Sequence, residues 1–474
     1  MTSPTHGPAA HGAPPPADVP TDVPAARRAA EPTAEPSASH PAASKSAASK
    51  SVASKSVDAE PAAPVDAARR APSMGRTALV LGGFVAVGPL TIDMSLPALP
   101  TIVTELETTE AAVQLTLTGT LVGLALGQLV IGPLSDALGR RRPLLVGTAL
   151  HVVASLLVLL APSIGVLGAL RVLQGVGTAA GAVIALAIVR DLYDGRAAAT
   201  MLSRLFLVIG AAPVLAPTIG GEVLRFTSWR GIFALLAAYG VVLLLAGGRA
   251  LRETLPPERR RPLSLGTTVR TYRGLLRDRT YLGLVLVAGL TMAALFSYVA
   301  GASFVYQGQF GLDQQQFGLL FGAGAVWLIG ATQLNPLVLR RFAPAQVLMA
   351  GTVLGLVAGL VLLVLAATGT GGLVAVVVPL WVTLFGAGLA LPNAPALALS
   401  RHGEAAGAAA ALLGAVQFGV GALVSPLVGL LGNDARAMGL VILSALVLAT
   451  VVLVLLVRPW RLVGEDVSPV AAAH

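Results

Sequence analysis

The chain contains no cysteine, so disulfides and thiolate metal sites are excluded. Charge is scarce as well: Asp, Glu, Lys and Arg make up 12% of the 474 residues, against 55% hydrophobic, and mean hydropathy is +0.80. A soluble domain of that composition would leave much of its apolar surface in water, so the chain reads as a polytopic membrane protein. The six histidines never fall into HxxxH or HExxH spacing, and no GxxxxGK[ST] stretch occurs. A zinc hydrolase and a pump with its own nucleotide domain lose support accordingly. Paired catalytic acids and an activated nucleophile are also missing, so neither an enzyme nor a bound metal or cofactor is expected. The formal charge of +9 is carried by loops and tails, which makes it a topology signal and not a sign of nucleic-acid binding.

Residues 1–75 are rich in Pro, Ala and Ser, carry the near-repeat AASKSAASKSVASKSV and hold no aromatic residue. Such a stretch cannot build a core and is expected to form a disordered tail, uncleaved because it lacks a basic-then-apolar signal. Twelve apolar segments follow: Thr77 to Pro100, Ala111 to Leu134, Pro143 to Ala161, Ile164 to Ile188, Met201 to Leu224, Trp229 to Leu251, Tyr281 to Tyr306, Phe317 to Leu339, Ala345 to Ala367, Leu373 to Leu399, Ala408 to Leu431 and Ala437 to Val457. Most match the ~20 residues that cross a ~30 Å hydrocarbon core as a helix.

Arginines crowd the loops on one side, at Arg140 to Arg142, Arg190, Arg196, Arg204, Arg249 to Arg279, Arg340, Arg341 and Arg401. The other side holds Arg225, Arg230 and Arg436 together with Glu105, Glu107 and Glu110. The positive-inside rule therefore puts both termini in the cytoplasm. The expected organisation is a cytoplasmic tail (1–75), a six-helix bundle (76–251), a basic cytoplasmic linker (252–279), a second six-helix bundle (280–458) and a C-terminal tail (459–474). GPLSDALGRRRP (Gly132 to Pro143) is echoed by NPLVLRRFAP (Asn335 to Pro344), and PTIGG (Pro217 to Gly221) by SPLVG (Ser425 to Gly429), each pair at the same place in the order of spans. The fold class is thus an all-α membrane protein with twelve transmembrane helices in two pseudo-symmetric bundles, a parallel repeat of the kind carriers show.

Asp93 and Arg171 are the only charges placed clearly inside these spans. Each lies seven residues from the outer end of its segment, ~10 Å deep, so the two are level and able to pair. An intramembrane acid is costly and is by default a functional candidate, the plain alternative being a side chain that snorkels to the headgroups. Arg171 reads either as a structural ion pair or as part of a coupling site. Gln174 and Thr178 share its helical face, a polar stripe expected to line a substrate cavity with Asp93. Burial raises the pKa of an acid and a guanidinium lowers it, and a cavity opening alternately to each side would tip that balance, so at most one proton is expected to couple through Asp93.

In GPLSDALGRRR, which runs from Gly132 to Arg142, Pro133 and Gly139 are expected to break the helix into a tight cytoplasmic turn. Asp136 would cap or pair with a neighbouring helix, and Arg140 and Arg141 would hold the loop inside. Gly210, Pro213, Pro217, Gly220 and Gly221 in GAAPVLAPTIGG suggest a hinge or a seal. Softer cavity candidates are Phe296, Tyr298, Phe304, Gln307, Asn393 and Gln417. Tyr306 is expected at the membrane interface, and His151 hydrogen-bonded to a neighbouring helix.

The chain resembles a twelve-helix drug:proton antiporter of the major facilitator superfamily, nearest to the Bcr/CflA (bicyclomycin/chloramphenicol resistance-like) branch, from about Thr77 to Val457. The likeness rests on IDMSLPALP, GPLSDALGRRRP, RVLQGVG, GAAPVLAPTIGG, FSYVAGASFVYQGQFG, LPNAPALAL and VQFGVGALVSPLVG. It implies that Asp93 couples substrate to proton, that Arg171 supports proton transfer, and that Asp136 with Arg140 belongs to a conformational latch. It also implies that the Gly210 to Gly221 stretch favours antiport. Some relatives carry a second acid two turns earlier in the first helix, where this chain has Val85 among apolar neighbours, so dicationic drugs are less expected. The partners so implied are amphiphilic small molecules, protons and the lipid bilayer, with a monomer in the inner membrane. A carrier importing a native metabolite is the rival on the same fold, and a channel or non-transporting receptor the rival from another class.

Overall fold

The computed structural model describes residues 74–260, 265–402 and 405–462. The expected N-terminal tail up to residue 73 and C-terminal tail from residue 463 lie outside them, as do linker residues 261–264. Among the described residues, twelve helices are long and apolar enough to cross a membrane: Met74–Glu105, Glu110–Leu138, Arg141–Val158, Ile164–Leu192, Gly195–Leu224, Trp229–Ala250, Arg279–Gln309, Gln314–Val338, Pro344–Thr368, Gly372–Ser400, Ala406–Leu430 and Ala435–Val457. Asp278, Asp313 and Asp434 each accept backbone N–H bonds at the start of the seventh, eighth and twelfth spans, which fixes where those helices begin. A shorter helix, Leu265–Leu275, lies between the sixth and seventh spans.

The first six spans pack among themselves, the second against the fourth most extensively, and the last six do likewise. The second span also packs on the eleventh and the fifth on the eighth, which joins the two six-helix bundles. Glycine permits the tightest of these contacts. A Cβ on Gly123 or Gly175 would run into the backbone of the facing helix, so the second and fourth spans approach closely enough to press main chain on main chain. Leu79, Val146 and Leu160, more than two-thirds exposed, belong to the apolar outer surface that lipid would cover.

Two expectations about helix breaks are corrected here. Pro133 does not break the second span, which runs unbroken to Leu138; Gly139, at φ 93°, ends it alone. The first span does not stop at Pro100. Its α-helix ends at Asp93, a turn and a short 3₁₀ segment (Leu96–Ala98) follow, and helix resumes over Leu99–Glu105. Pro97 falls in the 3₁₀ segment, and Pro100 in the first turn of the resumed helix, where a missing N–H leaves no intrahelical bond unmade.

Candidate functional site

The interruption in the first span organises the site. Asp93 is the last residue before it and is 6% exposed. Arg171 of the fourth span, 1% exposed, reaches both sides of it: Nη1 donates to the Thr91 carbonyl (2.9 Å) and to Gln174 Oε1 (3.2 Å), and Nη2 to Ser95 Oγ (3.3 Å). Its guanidinium also lies over the Phe233 ring, 5.5 Å from the centroid. The expected Asp93–Arg171 ion pair is not formed among the described residues. The arginine is level with the acid as expected, but it spends its donors on the main chain and hydroxyl that the break exposes.

Behind Arg171 the polar groups are tied into the first bundle. Gln174 donates to Ser155 Oγ (2.7 Å), and Thr178 Oγ1 bonds the Gln174 carbonyl (2.7 Å) and lies 3.3 Å from His151 Nδ1. Gln174 and Thr178 therefore hold Arg171 and His151 in place instead of presenting free groups to a cavity, and His151 meets a neighbouring helix as expected.

The second bundle closes on the same interruption from the seventh span. Ser303 Oγ donates to the Leu96 carbonyl (2.7 Å), and Gln307 Nε2 to the Pro97 carbonyl (3.4 Å) and to Ser303 Oγ (2.8 Å). Phe304, Tyr306 and Gln307 sit on a π-helical turn, Phe304–Gln309, that ends this span. Tyr306 is fully buried against Phe317, 6.2 Å between ring centroids, and so is not at the membrane interface. Tyr298 stacks on Phe321 (4.9 Å). Phe296 packs on Phe418 (5.9 Å). The hydroxyls of Tyr298 and Tyr306 are buried and face one another without a well-formed hydrogen bond, and the indole N–H of Trp381 is buried without a partner among the described residues. The Tyr298 hydroxyl and the Trp381 N–H both border Gly324, and under-used buried donors gathered in this way are what a polar ligand would satisfy.

One cavity candidate falls elsewhere. Asn393 donates to Asn335 Oδ1 (2.7 Å) and to the Leu389 carbonyl, near the arginine-rich end of the tenth span, and joins two helices there. Gln417 is half-buried on the eleventh span. A surface cavity of about 480 Å³ at Leu337, Val338 and Arg340 to Phe342 is likewise remote from Asp93. Trp381 and Ser303 were missed by sequence reasoning. Ser303 carried a signal, a hydroxyl four residues before Gln307 in an otherwise apolar run, whereas nothing in the sequence sets Trp381 apart.

Among the glycines of the fifth span, Gly220 faces the Met94 carbonyl at the interruption, Gly221 the Gln314 backbone and Gly210 the Ile329 side chain. Pro213 and Pro217 stay inside a continuous helix, Gly195–Leu224. The stretch is a close-packed seam between the first span's break and the eighth span.

At the arginine-rich end, Arg140 pairs with Asp136 (2.5 Å) and with Asp191 at the end of the fourth span (2.9 Å), and also donates to Ser135 Oγ (2.9 Å). Burial opposes its charge, yet the two carboxylates outweigh burial and hold the guanidinium protonated. Asp136 does not cap the third span. Glu253, after the sixth span, accepts the N–H of Arg140 (2.7 Å) and of Arg141 (3.2 Å). Arg141 in turn bonds the Gly248 and Leu251 carbonyls. Burial pushes the Glu253 carboxyl up, but the N–H groups of Arg140, Leu255, Arg141 and Thr254 outweigh it, leaving its pKa below the usual glutamate value. Asp191 comes from the end of the fourth span and Glu253 from the segment after the sixth, so neither was legible beside the motif.

A family model described as Major Facilitator Superfamily matches residues 79–426. The chain is 38% identical over 379 residues to "Uncharacterized MFS-type transporter YdgK" of Bacillus subtilis, covering 79% of this chain and 93% of the relative. It is 31% identical over 380 residues to "Bicyclomycin resistance protein homolog" of Haemophilus influenzae, covering 79% and 94%. Among solved structures, the xylose transporter XylE from E. coli in a partially occluded inward open conformation is similar with TM-score 0.64 at 13% identity, covering 80% of this chain and 96% of that one.

Proposed function

The chain belongs to the Major Facilitator Superfamily, and we propose that it exports small amphiphilic drugs or related metabolites across the cytoplasmic membrane in exchange for protons, as a monomer with both termini in the cytoplasm. The similarity to a bicyclomycin resistance homolog supports the substrate class. The observation that carries the coupling reading is the one buried acid among the described residues, Asp93, at a helix interruption where both bundles meet.

In this reading Asp93 takes a proton or a substrate group, but not both at once. Arg171 acts through the main chain: by holding Thr91 and Ser95 it keeps the interruption in register. Tyr298, Tyr306 and Trp381 offer two hydroxyls and an N–H to the substrate, with Phe304 and Phe296 as apolar wall. Moving the bundles changes which side reaches Asp93, and the seventh-span bonds to Leu96 and Pro97 link that motion to the acid's surroundings. Asp136, Arg140, Arg141, Asp191 and Glu253 brace the second-to-third-span loop on the cytoplasmic side. The domain limits expected above, bundles at 76–251 and 280–458 around a linker, serve this rocking motion.

The test is a drug panel with wild type and Asp93→Asn, followed by everted vesicles energised with a proton gradient. Asp93→Asn is expected to abolish proton-driven accumulation while the protein stays in the membrane at wild-type level. Accumulation undiminished in the variant would refute the coupling role, and uptake driven in the opposite direction would favour an importer.

A further inference from the structure

The linker helix Leu265–Leu275 has two kinds of surface that proton exchange does not use. One side is docked on the protein: Leu275 is 3% exposed and clusters with Ala409, Leu412 and Leu413 of the eleventh span, while the Tyr272 hydroxyl donates to the Leu129 carbonyl of the second (3.4 Å). The helical turn continues through Leu276 and Arg277, whose N–H groups bond the carbonyls of Tyr272 and Gly274. At about 100° per residue, going round the helix from the docked side, the next residues are Val269 and Leu276, 62% and 45% exposed. Arg273, Arg277 and Arg270 come next, all exposed.

Among the described residues none of the three arginines holds an ion pair. The adjoining acid, Asp278, is occupied: it caps the seventh span through Thr280 and Tyr281 and pairs with His402 (3.1 Å). An apolar strip bordering the protein, followed by a strip of unpaired cations, is the surface order of a helix lying in a membrane interface. A helix turned wholly to water has no need of Val269 and Leu276 on that face.

We propose that this helix is a docking surface for anionic lipid headgroups in the leaflet at the arginine-rich side, with Val269 and Leu276 against the upper acyl chains and Arg270, Arg273 and Arg277 on the phosphates. Because its other face covers the contact between the second and eleventh spans, lipid held there steadies the joint between the bundles.

The absence of native cysteine makes the test direct. Full-length protein with Val269→Cys, labelled with a fluorophore, is reconstituted in phosphatidylcholine vesicles containing a fixed fraction of phosphatidylglycerol. Bromine is placed on the acyl chains of one lipid or the other at equal total content. Brominated phosphatidylglycerol is expected to quench at least twofold more strongly than brominated phosphatidylcholine. The excess should vanish in Arg270→Gln/Arg273→Gln/Arg277→Gln, survive with lysine at the three positions, and persist in millimolar inorganic phosphate. Equal quenching by the two lipids, no quenching by either, or an excess unchanged by the glutamine variant would overturn the proposal. Loss of the excess in free phosphate would point to a soluble anion instead and overturn it equally.

Discussion

At the scale of single residues, the chemistry turns on how a buried guanidinium is satisfied. Arg171 makes three hydrogen bonds to three different groups, and only a planar donor of its size reaches them together. A lysine keeps the charge but cannot span Thr91, Gln174 and Ser95. Arg171→Lys is therefore expected to lower stability by about 2 kcal/mol or more, since each bond to a charged group contributes ~1.5–3 kcal/mol. Unfolding of the purified protein in detergent measures this, and a midpoint equal to wild type would show that the network carries no such weight. Asp93 differs in kind: with no arginine bound to it, its proton affinity is open to change by whatever next reaches the site, which is why its replacement is the decisive test of coupling.

Individual helices depend on residues far from them in sequence. The third span begins at Arg141 with no acid, Ser, Thr or Asn of its own at its start, and Glu253 supplies the missing cap from the start of the linker, just past the sixth span. Because the carboxyl titrates below its usual value in the folded protein, its contribution is complete above the ordinary glutamate pKa and is lost as pH falls through the lowered one. Glu253→Gln should then be less stable than wild type at neutral pH by about 0.5–1 kcal/mol, as for an exposed helix cap. The gap should close on acidification. A gap constant between pH 7 and pH 3 would mean the carboxylate charge is not what the helix start uses. The interruption of the first span belongs to this scale too: the carbonyls of Leu96 and Pro97 are taken up by the seventh span, a pairing no local sequence rule contains.

For the whole molecule, the side-chain hydrogen bonds that join the spans of the two bundles gather at the arginine-poor end. Gln114 bonds the Ala300 carbonyl and Asn433, Asn433 donates to Glu110 (2.6 Å), and Gln315 donates to Glu222 (2.8 Å). The structure is thus a state closed at that end. Asn433 sits at φ 59°, a conformation asparagine tolerates and glycine adopts freely, so Asn433→Gly removes the side-chain bonds without backbone strain. The expected result is a shift toward opening at this end. A cysteine at Ala300, 2% exposed, should react several-fold faster with an impermeant maleimide from the arginine-poor side when Asn433→Gly is also present. Identical rates would show that these bonds do not hold the closure.

What the sequence determined by itself was whatever follows from transfer out of water: twelve spans, found to within a few residues at most ends, and the isolation of Asp93 and Arg171 among apolar neighbours. Hydropathy and helical rise act locally, so a linear reading captures them. Which groups meet was decided only by the tertiary structure. Arg171 turned from Asp93 to a broken backbone, Asn393 went to Asn335, and Glu253 and Asp191 came to Arg140, because buried donors and acceptors are paired by proximity in space, and chain order does not encode it.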